Sequence, residues 1–529
     1  MTLLADATAV STRIAATASR LEKGRELADF LRRLEPDEIA IAVAWLTGET
    51  RQGKLGVAYS AIHAAGASAG ATLPVLTLGE VDAAFAAIAA LKGKGAGAER
   101  AAQLASLFGR ATKAEQDFLA RLIVGELRQG ALKGLMTEAI AIAAGVPVEE
   151  MRRAAMSAGG LEEVAVIALA QGSAGLARLS VQLMRPVLPM LSQSAEDVGE
   201  ALDRLKLAAF EWKLDGARVQ VHKSGSQVRI YTRNLNDVTA RVPEIVEALA
   251  PLAANSFILD GEAIALRPDG RPHAFQTTMR RFGRKLEVES MRKELPLSAL
   301  FFDCLLRDGE PIVDRPAEER FAVLREMLPA ALVMPRIVTS DIEEATRFFD
   351  EALSRGHEGV MAKALTGPYE SGRRGAGWLK MKRANTLDLI VLAAEWGNGR
   401  RQGWLSNLHL GARDPSTGGH VMLGKTFKGM SDAMLEWQTR EFQKIEARRE
   451  GVTVYLRPEI VVEVAFNEVQ QSSQYPGGFA LRFARVKAYR PDKRPGDADT
   501  IDTVRRIYES QDAPAPPLPD PLPRGEREI

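Results

Sequence analysis

The stretch Glu211-Trp212-Lys213-Leu214-Asp215-Gly216-Ala217-Arg218 places one lysine between carboxylates on a segment with the pattern of a β-strand end. Alternation along a strand puts Glu211, Lys213 and Asp215 on one face, and Gly216 predicts a turn directly after them. Such a lysine is either a solvated residue at the edge of a sheet or a covalent nucleophile. The pattern K-x-D-G-x-R is too short to decide between these two interpretations alone.

A lysine amine can act as a nucleophile only in its neutral form. Its ordinary pKa of about 10.4 leaves a neutral fraction on the order of one in a few thousand at pH 7. Nearby cations and desolvation both lower the pKa of a lysine. If Lys213 is a nucleophile, other segments of the chain should therefore bring basic side chains or a metal site towards it.

Four later segments carry charges of this kind. The first follows a strand-like run, the second closes one, and the third follows a helical run and begins a strand. Alternation in the last segment places its two lysines on one face of a strand. Each segment alone is weak, but their order and their positions at element ends favour a catalytic site. The segments are Tyr231-Thr232-Arg233-Asn234, Asp260-Gly261-Glu262, Glu358-Gly359-Val360-Met361-Ala362-Lys363 and Trp378-Leu379-Lys380-Met381-Lys382.

Length and composition limit the class of protein. The chain has 529 residues, 46% of them hydrophobic and 26% charged, which is typical of a globular protein with about three domains. The net charge of +1 does not predict nucleic-acid binding. A basic surface for nucleic acid would have to come from local clusters of charged residues. The single cysteine, Cys304, excludes a disulfide framework and a cysteine-rich zinc site. No signal peptide or membrane span is predicted, which favours a cytoplasmic protein.

The pattern of apolar residues divides the chain into four parts. The first has the three-and-four spacing of helices, and it ends at RPVLPMLSQ, whose two prolines exclude a regular helix. The second alternates strands and helices, as in an α+β domain. The third combines strands with one helical segment at 430–449, which suits a small β-barrel such as an OB-fold. The last is proline-rich and predicted to be disordered. The predicted parts are residues 1–184, 185–384, 385–510 and 511–529.

These segments resemble the motifs of the nucleotidyltransferase superfamily of DNA ligases, RNA ligases and mRNA capping enzymes, over about residues 110–500. The resemblance implies a multidomain protein with an all-α DNA-binding domain, an α+β (ATP-grasp-like) nucleotidyltransferase domain and an OB-fold β-barrel. It implies that Lys213 takes AMP from ATP, and that Glu262 and Glu358 bind Mg²⁺, or alternatively Mn²⁺. The residues that it places around ATP or AMP are Glu211, Arg218, Arg233, Glu262, Phe302, Lys363, Lys380, Lys382, Arg485, Arg490 and Lys493.

The resemblance also implies individual roles. Phe302 would stack on adenine, although core packing explains its position equally well. Lys363 would face the phosphates, and Lys380 and Lys382 would lie beside the α-phosphate. Glu211 would accept a hydrogen bond from the adenine amino group, and since a carboxylate repels guanine O6, this favours ATP over GTP.

The segment Leu481–Lys493, LRFARVKAYRPDK, resembles the last motif of the superfamily. It supplies the cations Arg485, Arg490 and Lys493, which would approach ATP when the OB domain closes. Ala484 replaces the usual proline and Ala488 a frequent arginine, so the cation that orients pyrophosphate is left open. The segment 383–387 between the two domains is the predicted hinge.

The helical N-terminal third distinguishes the chain from some members of the superfamily, because RNA ligases and capping enzymes generally lack such a region. It resembles the DNA-binding domain of the larger ATP-dependent DNA ligases, which predicts a monomer that seals nicks in duplex DNA during replication, repair or recombination. An RNA ligase and a catalytically silent DNA-binding protein are the alternatives. Basic residues that could contact phosphates, or could be solvated surface charges, are Arg128, Lys133, Arg185, Arg280, Arg281, Arg284 and Lys285.

Overall fold

The computed structural model describes residues 1–67, 69–127, 129, 133–283, 288–370, 374–382 and 385–512. Helices dominate up to residue 176, two β-sheets follow, and a third sheet forms the C-terminal part. This order agrees with the predicted all-α, α+β and β-rich sequence of domains. Within the described ranges, every helix is too short or too polar to cross a lipid bilayer.

The described residues of the N-terminal part form a bundle of ten helices around one apolar core. Side chains such as Thr77 and Thr112 cap the helix starts by accepting from backbone N–H groups, and Gly125 ends one helix in a left-handed conformation. Trp45 and Phe85 pack in the centre of the core. The helices are α1 (Leu4–Ala16), α2 (Arg20–Leu31), α3 (Pro36–Leu46), α4 (Tyr59–Gly66), α5 (Leu78–Ala90), α6 (Ala96–Arg110), α7 (Lys113–Val124), α8 (Lys133–Ala144), α9 (Val148–Ala158) and α10 (Glu162–Leu176).

The central part contains two five-stranded sheets with the orders β1-β10-β9-β2-β8 and β4-β3-β5-β6-β7. Helices pack on them and close two apolar cores. The elements are β1 (Leu191–Ser194), α11 (Val198–Leu205), β2 (Ala208–Lys213), β3 (Ala217–Ser224), β4 (Gln227–Thr232), α12 (Pro243–Leu249), β5 (Ser256–Ala265), α13 (Phe275–Gly283), α14 (Val288–Glu294), β6 (Leu297–Arg307), β7 (Glu310–Pro311), α15 (Ala317–Met327), β8 (Arg336–Thr339), α16 (Ile342–Ser354), β9 (Gly359–Ala364) and β10 (Arg374–Lys382).

Strand register brings the predicted motifs together. In the first sheet Lys213 and Lys382 both lie opposite Gly359, because the antiparallel strands β2 and β10 flank β9. In the second sheet Arg218 lies opposite Glu262. Gly359 has φ 144°, and a Cβ atom there would lie 2.2 Å from the Met381 carbonyl oxygen. Only glycine therefore allows β9 and β10 to pair at this point.

The C-terminal part is a seven-stranded sheet with a two-stranded hairpin and two helices. The long strand β11 pairs with β12, β15 and β16, and β16 pairs with β19. Among the described residues this pairing does not return from β19 to β13, so it shows a β-rich domain and only part of a barrel. The elements are β11 (Asn385–Trp396), β12 (Leu405–Arg413), β13 (His420–Thr426), α17 (Asp432–Lys444), β14 (Glu446–Glu450), β15 (Thr453–Leu456), β16 (Val461–Phe466), β17 (Glu468–Gln471), β18 (Phe479–Arg482), β19 (Arg485–Tyr489) and α18 (Ile501–Asp512).

Two features of the C-terminal part differ from the sequence prediction. The helix predicted at 430–449 ends at Lys444, and Glu446–Glu450 forms strand β14 instead. The change occurs because β14 pairs with β15, and pairing overrides the local helical pattern. Helix α18 was not predicted, and its Ile501 and Val504 complete the apolar core. The proline-rich tail predicted at 511–529 lies almost entirely outside the described residues.

The segment between the helical part and the first sheet is anchored to β3. The side chain of Gln220 accepts from the Val187 N–H at 2.7 Å and donates to its carbonyl at 3.1 Å. The Met184 N–H donates to His222 Nδ1 at 3.0 Å, and His222 Nε2 is 2.9 Å from Gln220 Oε1. Because Nδ1 accepts, the imidazole must be neutral with its proton on Nε2.

This anchor should weaken in acid. His222 is fully buried, and burial lowers its pKa to about 3, whereas the unfolded chain binds the proton near pH 6.5. Folding stability is therefore lost as the pH falls from about 6.5 towards 3, at roughly 1.4 kcal/mol per pH unit. Urea unfolding between pH 7 and 4.5 should show that His222→Gln removes this slope. His63→Gln, on the exposed face of α4, is the control, and equal slopes in all three proteins would contradict the assignment.

Candidate active site

A cleft of about 1080 Å³ lies between the two central sheets and the C-terminal part. Polar residues near strand ends form much of its wall, together with aromatic residues from both sheets, such as Trp378 and Phe302. The cleft contains most of the nucleotide-site residues expected from the sequence. Those that line it are Glu211, Lys213, Arg218, Arg233, Glu262, Phe302, Glu358, Lys363, Lys380, Lys382 and Arg485.

The carboxylate of Glu358 joins the two lysines at the ends of β2 and β10. Lys213 Nζ is 2.5 Å from Glu358 Oε2, and Lys382 Nζ is 2.5 Å from Glu358 Oε1. Asn467, from the C-terminal part, donates to the same Oε1 at 3.5 Å. Because Glu358 directly precedes Gly359 of β9, the sheet register alone places this carboxylate between the two amines.

The electrostatics around Lys213 differ from the sequence expectation. Burial lowers the pKa of Lys213, but the carboxylates of Glu358 and Glu262 outweigh it, so the net pKa is raised. The expectation that nearby cations and desolvation lower this pKa is therefore not met in the arrangement seen here. The physical reason is that the nearest partner of the amine is an anion, whereas the other lysine, Lys382, is bound to the same anion.

Three carboxylates approach one another beside Lys213. Burial raises the pKa of Glu262 to about 7, and burial together with Glu358 raises the pKa of Asp215 to about 6. Burial would raise the pKa of Glu358 too, but its two lysine partners lower it overall. Within the described ranges no three His, Cys, Asp or Glu side chains are arranged to hold a metal ion. One or two carboxylates with substrate phosphates are nevertheless the usual environment of Mg²⁺ in nucleotide enzymes.

The other end of the cleft is aromatic. Lys363 Nζ is 2.5 Å from Glu211 Oε2 and 4.3 Å from the ring centres of both Phe302 and Trp378. The expectation that Lys363 faces phosphates is therefore corrected: its buried side chain is bound at the Glu211 end of the cleft. Phe302 meets Trp378 edge to face at 5.8 Å, so it both lines the cleft and packs against the core.

Arg218 lines the cleft but its donors are already used. Its guanidinium contacts both oxygens of Asp260, at 3.0 and 2.6 Å, and donates to the Met190 carbonyl at 2.6 Å. The Tyr369 hydroxyl donates to Asp260 at 2.6 Å and accepts from the Met190 N–H at 3.0 Å. Arg218 therefore connects the segment that contains Met190 to the second sheet. Its guanidinium also packs on the ring of Phe302, which forms part of the cleft wall.

Two expected nucleotide residues do not reach the cleft. Lys493 Nζ is 2.5 Å from Asp388, and Arg490 contacts Asp388 at 3.2 Å and Asp492 at 2.7 Å. Both cations belong to the last motif, yet they lie on a part of the C-terminal domain that does not line the cleft in this arrangement.

Sequence reasoning missed several residues of the cleft. Arg482 Nη1 is 2.7 Å from Asp215 Oδ2, and its guanidinium lies 3.7 Å from the centre of the Phe275 ring. Asp215 and Arg482 stand inside motifs that the sequence showed, so spacing could have suggested them. Asn467 had no such signal. The other unassigned residues with a polar or aromatic side chain include Trp378, Phe483 and Lys487.

The residues that were expected to contact DNA differ in burial and in their ion-pair partners. Arg281 is fully buried and binds both oxygens of Glu244, at 2.8 and 3.1 Å, so its assignment as a DNA contact is wrong. Arg185 donates to the Ala158 carbonyl and to Glu163, and Lys133 pairs with Glu49 at the surface. Arg280 is exposed. Arg128, Arg284 and Lys285 lie outside the described residues.

Neighbouring arginines of α13 should therefore differ in their effect on stability. Arg281→Met should reduce the free energy of unfolding by about 3 kcal/mol, because it leaves the Glu244 carboxylate without its buried partner. Arg280→Met should change it by less than about 0.5 kcal/mol, since the side chain is exposed. Urea titrations of the two variants provide the measurement, and similar losses would show that Arg281 is not a structural residue.

Family comparisons agree with this geometry along most of the chain. The family described as "ATP dependent DNA ligase domain" matches residues 189–382, "ATP dependent DNA ligase C terminal region" matches residues 401–493, and "DNA ligase N terminus" matches residues 49–141. The middle match begins at the anchored segment and ends at Lys382. It therefore contains the paired lysines, their shared carboxylate and the aromatic end of the cleft.

Individual proteins are similar over nearly the whole length. The chain is 59% identical to a "Probable DNA ligase" of Anaeromyxobacter sp. (strain Fw109-5), over 96% of this chain and 98% of that protein. It is 57% identical to a "Probable DNA ligase" of Sorangium cellulosum (strain So ce56), over 96% and 95% of the two chains. The solved structure "Pmar-Lig_Pre." has a TM-score of 0.60 at 18% identity, covering 92% of this chain and 99% of that chain, which supports the fold. The chain thus belongs to the family of ATP-dependent DNA ligases.

Proposed function

We propose that the protein seals 5′-phosphate/3′-hydroxyl nicks in duplex DNA through a covalent adenylate on Lys213. The observation that carries this proposal is the pair of amines of Lys213 and Lys382 on the single carboxylate of Glu358, at the end of three adjacent strands. One chain provides every wall of the cleft, so a monomer is sufficient for the reaction.

In the first step Lys213 Nζ attacks the α-phosphorus of ATP, and the bond from that phosphorus to the pyrophosphate oxygen breaks. The amine must lose its proton, and pyrophosphate leaves. Negative charge increases on the α-phosphate oxygens in the transition state, and fixed positive side chains stabilise it. Lys380, Lys382 and Arg233 line the cleft and would supply that charge.

In the later steps the same cations act on DNA. A 5′-phosphate oxygen attacks the adenylate phosphorus, the P–N bond to Lys213 breaks, and the amine regains a proton. The adjacent 3′-hydroxyl then attacks the 5′-phosphate, which forms the phosphodiester and releases AMP. Each step is a displacement at phosphorus, so one positively charged pocket can serve all of them.

The acidic residues fit a divalent cation such as Mg²⁺, with Mn²⁺ as an alternative. Glu358 and Glu262 would hold it, because hard cations prefer carboxylate oxygens and these two carboxylates adjoin the nucleophile. When bound, the cation supplies charge stabilisation to the phosphates. Glu358 engaged in this way would no longer hold Lys213 as an ammonium ion, which removes the main cause of its raised pKa.

Arg490 and Lys493 take part in our proposal only after a rotation of the C-terminal domain. In the arrangement described here Arg482 and Asn467 of that domain contact the cleft, while the other two cations are held by Asp388. Self-adenylation would use a second arrangement in which Arg490 and Lys493 meet the pyrophosphate. The predicted hinge at 383–387 begins outside the described residues.

DNA is the favoured substrate over RNA. The match of residues 49–141 to a DNA ligase N-terminal region supports it. A silent DNA-binding protein would not need the acidic and basic residues that surround Lys213. Arg280 stays a candidate for phosphate contacts, as do Arg128, Arg284 and Lys285, which lie outside the described residues.

Incubation with α-labelled ATP and Mg²⁺ tests the covalent step. The wild-type chain should become labelled, and Lys213→Ala should lose the label completely, because in our proposal the other lysines of the cleft stabilise charge and do not attack the phosphorus. Lys92→Ala, at an exposed position, should label normally. Label of equal strength on Lys213→Ala, or none on the wild type, would refute the adenylate. Joining of a nicked DNA duplex, compared with a nicked RNA duplex, then tests the substrate.

Metal dependence tests the role of Glu358. Glu358→Gln should raise the Mg²⁺ concentration needed for half-maximal labelling by about tenfold or more, since an amide is a weaker ligand for a hard cation than a carboxylate. Glu343→Gln, on the exposed start of α16, serves as the matched control. A Glu358→Gln titration curve that overlays the wild-type curve would remove this residue from the proposed metal site.

A further inference from the structure

The carboxylate of Glu211 has a separate cation on each oxygen. It is 1% exposed, and the Lys363 amine is 2.5 Å from Oε2 while Arg336 Nη1 is 3.5 Å from Oε1. Arg336 reaches it because strand β8 pairs with β2 in a register that sets Arg336 directly opposite Glu211. Arg336 could not be selected from the sequence, since it belongs to none of the recognised motifs.

The side chain of Arg336 is held in place from the other side. Its guanidinium carbon lies 4.0 Å from the centre of the Phe321 ring, a short cation–π contact, and only 9% of the side chain is exposed. A guanidinium stays protonated in proteins. Arg336 is therefore a fixed positive charge beside Glu211, and it is absent from the described residues that line the cleft.

The two contacts of Glu211 differ in strength. A distance of 2.5 Å is a full charge-assisted hydrogen bond, whereas 3.5 Å is long for one. Oε1 thus receives charge stabilisation from Arg336 but retains acceptor capacity. Glu211 also lines the cleft, at the end that holds Phe302 and Trp378.

We infer that Arg336 determines the purine preference of the nucleotide site, by keeping Glu211 as a charged acceptor for the exocyclic amine of adenine. The inference rests on the proposed function, because it requires ATP to bind with its base at the aromatic end of the cleft. Arg336 is a positioning residue that acts through Glu211.

Hydrogen-bond chemistry explains how this contact discriminates. An ionised carboxylate can only accept, so it binds the adenine amino group and repels guanine O6. Removal of Arg336 takes away the charge that holds Oε1 in position, so the acceptor is less well aligned with the adenine amino group. The advantage of ATP over GTP would then be smaller.

The experiment compares self-adenylation with self-guanylation, using α-labelled ATP and α-labelled GTP with Mg²⁺. Arg336→Met keeps an unbranched side chain at this position but removes the guanidinium and its charge. It should lower the ratio of kcat/KM for ATP to that for GTP by about tenfold or more, chiefly through a higher KM for ATP. Arg336→Lys should keep most of the ratio. Arg347→Met, at a helix position that is 70% exposed, should keep all of it.

A second variant covers the case in which Arg336→Met does not fold. Glu211→Gln carries an amide that can donate to guanine O6, so it should also lower the ratio. A folded Arg336→Met that retains the wild-type ratio, or that loses both nucleotides equally, overturns the inference. Wild-type protein that takes label from neither nucleotide overturns the proposed function itself, so the two failures are distinct.

Discussion

The cleft depends on one ionic contact, the carboxylate of Glu358 held between the amines of Lys213 and Lys382. Burying three charges in one place is costly unless each has a partner. Here the partners come from three adjacent strands, so the sheet must form in the correct register before the charges can be satisfied. The charged centre and the fold of the first sheet therefore require each other.

The two ends of the cleft have different chemistry for the same reason. Strand β9 begins beside Lys213 and carries Lys363 towards its other end, among aromatic rings. A nucleotide laid along this strand would have its phosphates near the paired lysines and its base near Glu211. In the proposed function, the length of the strand separates the site of phosphorus chemistry from the site that binds the base, so each has its own charged residues.

The part of the site that could be predicted from the sequence consists of side chains that share one strand. Alternation in Trp378–Lys382 correctly placed Lys380 and Lys382 on the cleft, since neighbouring side chains of a strand point to opposite faces. The family resemblance gave the order of domains. The local pattern at 430–449 failed for strand β14, because cross-strand pairing decided its conformation.

Contacts between residues that are far apart in the sequence could not be predicted from the pattern of a single strand. Arg281 belongs to a run of basic residues that is typical of a protein surface. It nevertheless lies in the core, where it forms an ion pair with Glu244. Asn467 and Arg336 reach the site from elements that contain no recognised motif. Arg490 and Lys493 belong to the last motif, but both are bound by Asp388. The pKa of Lys213 likewise depends on which charge is nearest in space, which the chain order does not reveal.

The backbone at Gly359 carries a consequence for judging which related proteins are active. A single methyl group at this position would collide with the Met381 carbonyl and force β10 away from β9. A homologue could thus retain every charged residue of the cleft and still lose the arrangement of the site, since Lys382 would no longer share a carboxylate with Lys213. Surveys for degenerate ligases should inspect this uncharged position together with the lysines.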